Sequence, residues 1–214
     1  RPGAATVSEQ EELDRVIPLI AAISSSLDVC VSVDTSSPVV MKEALKSGAQ
    51  LINDIRALAI PGAAEMIAST KAAVCLMHMQ GAPSTMQKTP SYDSVVLEVF
   101  DFLKSRVAYS LECGIEQDRL LIDPGFGFGK TVQHNYQLLK NLGYFSQLEI
   151  PLLVGLSRKS MIGEVVVRPV DQRLAGSIAA TTLALASGAR IIRTHDVAAT
   201  IDAIRVNSEY SSAE

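Results

Sequence analysis

What this sequence has little of narrows its chemistry first. Cysteines number three, Cys30, Cys75 and Cys113, far apart and without a C-x-x-C or Cys/His pattern. That odd count argues against a disulfide framework or a cysteine-ligated zinc site, and it fits a reducing cytoplasm. Histidines are as scarce: His78, His134 and His195 stand at no metal-ligand spacing. No serine or cysteine sits in a nucleophile elbow, so zinc and nucleophilic chemistry drop out together. Positive charge is not in excess either. A formal net charge of -4 argues against a surface built to release counterions from nucleic acid, and any anion must be held locally by a few placed bases. No apolar run approaches the roughly 20 residues that span a bilayer. No charged, apolar, small-residue signal opens the chain. Membrane and secretion are both disfavoured.

What is present suits a single globular domain over residues 1–214, with 48% hydrophobic and 20% charged residues. Short β-branched and apolar runs alternate with longer amphipathic stretches, the pattern of parallel strands joined by crossover helices. Six strands are expected at Val29 to Val33, Ala49 to Ile52, Ala73 to Met77, Leu120 to Ile122, Leu152 to Leu156 and Arg190 to Ile192. Helices are expected over Ser8 to Ile23, from the Ser37-Pro38 cap through Leu45, over Ser94 to Cys113 and over Gln172 to Ala186. In all, seven helices accompany the six strands. Eight βα units close a barrel. A strand, helix and strand ahead of Arg1 would bring the count to eight of each, so the expected fold is an α/β TIM (β/α)8 barrel, N-terminally incomplete, with its first strand-helix-strand missing. The rival is an open doubly wound sheet, whose strands look the same locally.

The informative pattern lies just after each apolar run. Asp34-Thr35, Asn53-Asp54, His78, Asp123, Ser157-Arg158-Lys159-Ser160 and Arg193-Thr194-His195-Asp196 put polar residues at every strand's C-terminal end. In a barrel those ends converge on the active face. The bland alternative is helix capping, and it accounts for Ser37 and Asp196. Asp34, Asn53 and Asp123 offer acceptors and an amide suited to a flat heterocycle bearing several N–H groups. Arg1, Arg193 and His195 form a second, donor-rich group near loops that commonly hold phosphate. Lys159 could serve either half.

Two decoys are rejected. Gly125 to Thr131 has three residues between its glycines where a P-loop needs four, and Lys130 stands where a dinucleotide motif needs its third glycine. The run reads better as a mobile loop over the site. His134 is expected at the surface of a helix start, and Cys30 and Cys75 buried as small hydrophobes. Met77 is equally suited to core packing and to flooring a ring pocket.

Taken together, Arg1-Pro2-Gly3-Ala4, Val31 to Thr35, Ile52-Asn53-Asp54, Leu76 to Gly81, Asp123 to Lys130, Ser157 to Ser160 and Arg193 to Asp196 resemble the dihydropteroate synthase family in order and spacing, from Arg1 to about Val206. The resemblance implies a barrel that holds a pterin ring on residues matching Asp34, Asn53, Asp123 and Lys159, over Met77. It implies diphosphate held by Arg1, Arg193 and His195. It also implies p-aminobenzoate against Phe128, Ser157, Arg158 and Lys159. The implied chemistry is departure of Mg-bound diphosphate from the pterin CH2 group and attack by the arylamine, with Lys159, Arg193, His195 and Asp34 as the catalytic set. Small-molecule substrates, Mg2+, a cytoplasmic setting and a homodimer formed through the last helices come with it. The family's metal-side Asn and a second Asp near the ring have no counterpart here, so the metal ligand would lie ahead of Arg1. Two rivals stand beside this reading: a folate-dependent corrinoid methyltransferase on the same barrel, and a non-catalytic binding module.

Overall fold

The computed structural model describes residues 7–81, 86 and 89–213. Helix α1 (Glu9–Ser26) starts where Ser8 caps it: the hydroxyl accepts from the Glu11 amide, and Glu9, Glu11 and Glu12 lie against the helix's positive end. It runs three residues past the expected Ile23. Ser37 caps α2 (Pro38–Lys46), accepting from the Val40 amide with proline in the first turn, as the capping reading requires. Then come α3 (Ala63–Ala68), α4 (Val95–Glu112), α5 (Val132–Lys140), α6 (Ser160–Val166), α7 (Leu174–Ala186) and α8 (Val197–Ser212). These are eight α-helices among the described residues, not seven, because the crossover before the last strand carries both α6 and α7. Strands β1 (Ser32–Asp34), β2 (Leu51–Asp54), β3 (Ala73–Met77), β4 (Leu120–Asp123), β5 (Leu152–Gly155) and β6 (Ala189–Arg193) fall on the six expected runs.

Strand order decides between the two architectures. A doubly wound sheet reverses order at a switch point. Here the order is β1-β2-β3-β4-β5-β6, every pair parallel, the order of an α/β barrel wall. Among the described residues six strands form a half-barrel, in which β1 and β6 each pair with a single neighbour. The complete barrel is not seen.

Alternation along the strands separates two faces. Val33, Ile52, Val74, Leu76, Ile122 and Val154 are at most 5% exposed and pack on the helix layer with Met41, Ile67, Leu103 and Leu138. Each such side chain contributes on the order of 1.5–3 kcal/mol by leaving water. The concave face is more open: Ile191 on β6 stays 38% exposed. Cys30 is exposed, against expectation, because it lies just ahead of edge strand β1, whereas Cys75 in mid-β3 is fully buried. Neither these two nor Cys113 forms a disulfide.

Candidate active site

The polar strand ends do gather on the concave face. Register pairs Asp34 with Asn53, Met77 with Asp123 and Gly155 with Arg193, and laterally paired residues of parallel strands point the same way. Asn53 is 5% exposed. Its amide nitrogen donates to one Asp34 oxygen, while its own Oδ1 is buried with no hydrogen-bond partner among the described residues. The second Asp34 oxygen accepts from Arg193 Nη2 at 2.5 Å. The acceptor group and the donor group, separated by chemistry in the sequence, therefore meet across the mouth of the half-barrel. Met77, 2% exposed, sits beside Asp123 at the end of β3.

Asp54 goes the other way. One residue past Asn53 it faces the helix layer, fully buried, where it accepts from the Ser36 hydroxyl and from the Arg56 and Leu58 amides at 2.8 Å each. Burial pushes its carboxyl up, opposed by those bonds. It holds the β2–α3 loop and takes no place in the site.

Asp123 is 6% exposed and accepts from the Gly125 amide at 2.7 Å. Burial raises its pKa, against the pull of Lys159 and that amide. Half-buried Lys159 donates to the Phe126 carbonyl and lies 4.9 Å over the Phe128 ring. Burial holds its pKa down at about 8, while Asp123 favours the charged form. The loop that carries the two phenylalanines is anchored, contrary to the mobile reading. Gly127 donates to Asn135 Oδ1 at 2.7 Å, Tyr92 Oη donates to Gly129 O at 2.8 Å, and buried Lys130 bonds Gly125 O, Phe128 O and His78 Nδ1. Gly125 has φ +70°, and a Cβ there would stand 1.9 Å from His78 O, so nothing larger fits.

At the β5 and β6 ends, buried Ser157 bonds exposed His195 twice, Oγ to the backbone nitrogen at 3.2 Å and to Nδ1 at 3.0 Å. Arg158, at φ +58°, turns its fork onto Asp196, Nε to Oδ2 at 3.0 Å and Nη2 to Oδ1 at 2.5 Å. Asp196 is thus not the side-chain cap expected of it: it makes no cap bond to α8, and the bond from Arg158 holds its carboxyl below the usual range. The bidentate guanidinium is a stronger donor than a helix-start amide. His134 does sit at a helix start, closing a capping box with Thr131. Arg1 lies outside the described residues. Among the described residues no three His, Cys, Asp or Glu side chains cluster to hold a metal ion. The Lys130–His78 contact went unread in the sequence, where the only signal was a lysine closing a glycine-rich run.

The chain is also similar to known proteins over nearly all of its length. Residues 1–195 match the family of pterin binding enzymes. Dihydropteroate synthase of Haemophilus influenzae is 54% identical over 206 residues, 96% of this chain and 75% of that protein. The chain belongs to the dihydropteroate synthase family. Solved members superpose closely: the Yersinia pestis enzyme in complex with a sulfonamide drug has a TM-score of 0.97 at 50% identity, covering 100% of this chain and 78% of that one. The Xanthomonas albilineans enzyme in complex with 7,8-dihydropteroate reaches 0.92 at 45%, covering 98% and 80%. The site lies at the strands' C-terminal ends, where α/β barrels carry their active sites.

Proposed function

We propose that this chain condenses 6-hydroxymethyl-7,8-dihydropterin diphosphate with p-aminobenzoate, giving 7,8-dihydropteroate and diphosphate for folate biosynthesis. The observation that carries it is the buried Asn53 Oδ1, unpartnered among the described residues and beside Asp34, on the face that also carries Asp123 and its neighbour Lys159. A buried acceptor left open is costly unless a ligand donor fills it. In this reading Asn53, Asp123 and Asp34 accept from the pterin's N–H groups, Lys159 donates to its carbonyl side, and Met77 floors the ring. Arg193 and His195, at the start of α8 with its helix-end amides, take the diphosphate; Arg1 is assigned to the same anion. Phe128, Ser157 and Lys159 receive p-aminobenzoate, and Arg158 acts there by holding Asp196. The C–O bond to diphosphate breaks with both electrons leaving on oxygen. The arylamine nitrogen then forms the C–N bond and releases its proton to solvent. Donors aimed at the departing oxygens lower the barrier, and carboxylates near the ring stabilise its developing positive charge.

Magnesium enters the proposal as the counter-ion that the diphosphate carries, and no residue role above depends on it. The full eight-stranded barrel belongs to the same proposal, supported by the two unpaired sheet edges, which a strand-helix-strand ahead of Arg1 would cover. Homodimer formation through α7 and α8 is supported by exposed Leu183, Val197, Ile201 and Ile204 on those helices. A cytoplasmic setting is supported by the three unpaired cysteines. The test is direct: the full-length polypeptide that carries these residues, supplied with magnesium, pterin diphosphate and p-aminobenzoate, releases dihydropteroate and diphosphate in equal amounts. Binding of methyltetrahydrofolate with no such turnover sinks the reading.

A further inference from the structure

We propose that Lys130 is a positioning residue for the arylamine half of the site, clamping the loop after β4 so that the Phe126 carbonyl and the Phe128 ring face Lys159. This rests on the functional reading above. Lys130 is 3% exposed, and its ammonium has three protons and three acceptors: Gly125 O at 2.9 Å, Phe128 O at 3.0 Å and His78 Nδ1 at 2.9 Å. The two carbonyls are the ends of one turn, which the Phe128 amide also closes onto Gly125 O at 3.1 Å. Between those ends, the Phe126 carbonyl receives Lys159. At the far end the Phe128 ring lies under the same ammonium. One buried lysine thus sets where another presents its charge.

His78 completes the clamp. It is 6% exposed, edge-on to Phe102 and tilted against Tyr92, and burial, then the Lys130 charge, hold its pKa down to about 3. It stays neutral through any working pH, so Nδ1 keeps its lone pair for Lys130 and the ring proton is assigned to Nε2. The charged groups facing Lys130 are Asp123, which favours its ammonium, and Lys159, which opposes it; burial, with Lys159 acting the same way, outweighs Asp123 and brings its pKa down to about 7. A buried ammonium is an expensive way to fill space. An apolar residue would pack as well but would leave the turn's carbonyls unheld.

A packing role and a positioning role differ in which substrate feels the loss. In the full-length polypeptide, Lys130→Met is expected to raise KM for p-aminobenzoate about tenfold or more and KM for the pterin diphosphate less than about threefold, since one lost charged donor leaves acceptors unpaired on one side of the site. Lys130→Arg keeps a charged multi-donor and recovers part of the loss. Should Lys130→Met fail to fold, His78→Leu decides the matter: it removes one acceptor and should show a smaller rise with the same selectivity, whereas His78→Gln keeps an acceptor and stays near wild type. Equal rises in both KM values, or loss of stability with both unchanged, overturn the proposal while leaving the reaction assignment intact. A wild type that makes no dihydropteroate overturns both.

Discussion

Replacing Asn53 by leucine, nearly its equal in size, separates a ligand-binding residue from a structural one more cleanly than any other change at this site. The amide nitrogen holds one Asp34 oxygen, and the amide oxygen is buried without a partner among the described residues. Losing the bond to a charged acceptor costs about 1.5–3 kcal/mol at most, and less here because water can reach the Asp34 side chain, which is 42% exposed. Removing an unsatisfied buried oxygen returns about 1–3 kcal/mol. The two nearly cancel, so the folded chain should change stability by less than about 1.5 kcal/mol in urea unfolding. Pterin binding has no such compensation. The ring N–H from which Asn53 would accept finds no partner, and affinity should fall about 5- to 150-fold, the same 1–3 kcal/mol now uncancelled. Calorimetric titration with a pterin lacking the diphosphate reads the second quantity independently of turnover. A drop in stability beyond about 3 kcal/mol with pterin affinity unchanged would refute the reasoning, for Asn53 would then be holding the fold.

Asp54→Ala should do the opposite, costing about 2–5 kcal/mol of stability because three donors lose their acceptor in a fully buried place, while pterin affinity of the folded fraction holds; urea unfolding and calorimetry together test it. Arg193→Ala and His195→Ala should each slow turnover about 100- to 1,000-fold yet spare the affinity for pterin without its diphosphate, and unchanged turnover in both would move the anion elsewhere. Pterin affinity should fall as pH rises through about 8, where Lys159 loses its proton. Stability has the contrary sign: the folded lysine, depressed below its unfolded value, releases its proton first, the unfolded chain binds more protons above that pH, and stability rises. Lys130, depressed to about 7, adds to the same trend. Affinity falling together with the urea midpoint across pH 8 would mean that unfolding, not Lys159, sets the limb; Lys159→Arg, which does not titrate, should flatten it.

How far this could be read from the sequence depends on whether a feature is local. Strand positions, the start of α1 at Ser8 and the Ser37 cap were legible because periodicity and capping chemistry act within a few residues. The choice between barrel and doubly wound sheet was legible only through the count of βα units and not through periodicity, since it lives in strand order, and strand order is set by pairing between runs that a whole crossover helix separates in the chain. At the site, residue type alone named Asp34, Asn53, Asp123 and Lys159, but parity decided their use. Asn53 and Asp54 are equally polar neighbours at one strand end, and the strand's period of two sends the first to the concave face and the second into the helix layer. Asp196 shows the same limit differently. Its position before α8 satisfied the capping rule, yet Arg158, 38 residues earlier, offers a bidentate partner that no local rule contains. The Lys130 clamp is the furthest case: its partner His78 lies 52 residues away on another strand end, so only folding could turn two unremarkable residues into one contact. What a sequence reading misses at such a site is therefore mostly the layer that holds the reacting groups in place, because that layer is assembled from long-range pairs whose members each have an ordinary local explanation.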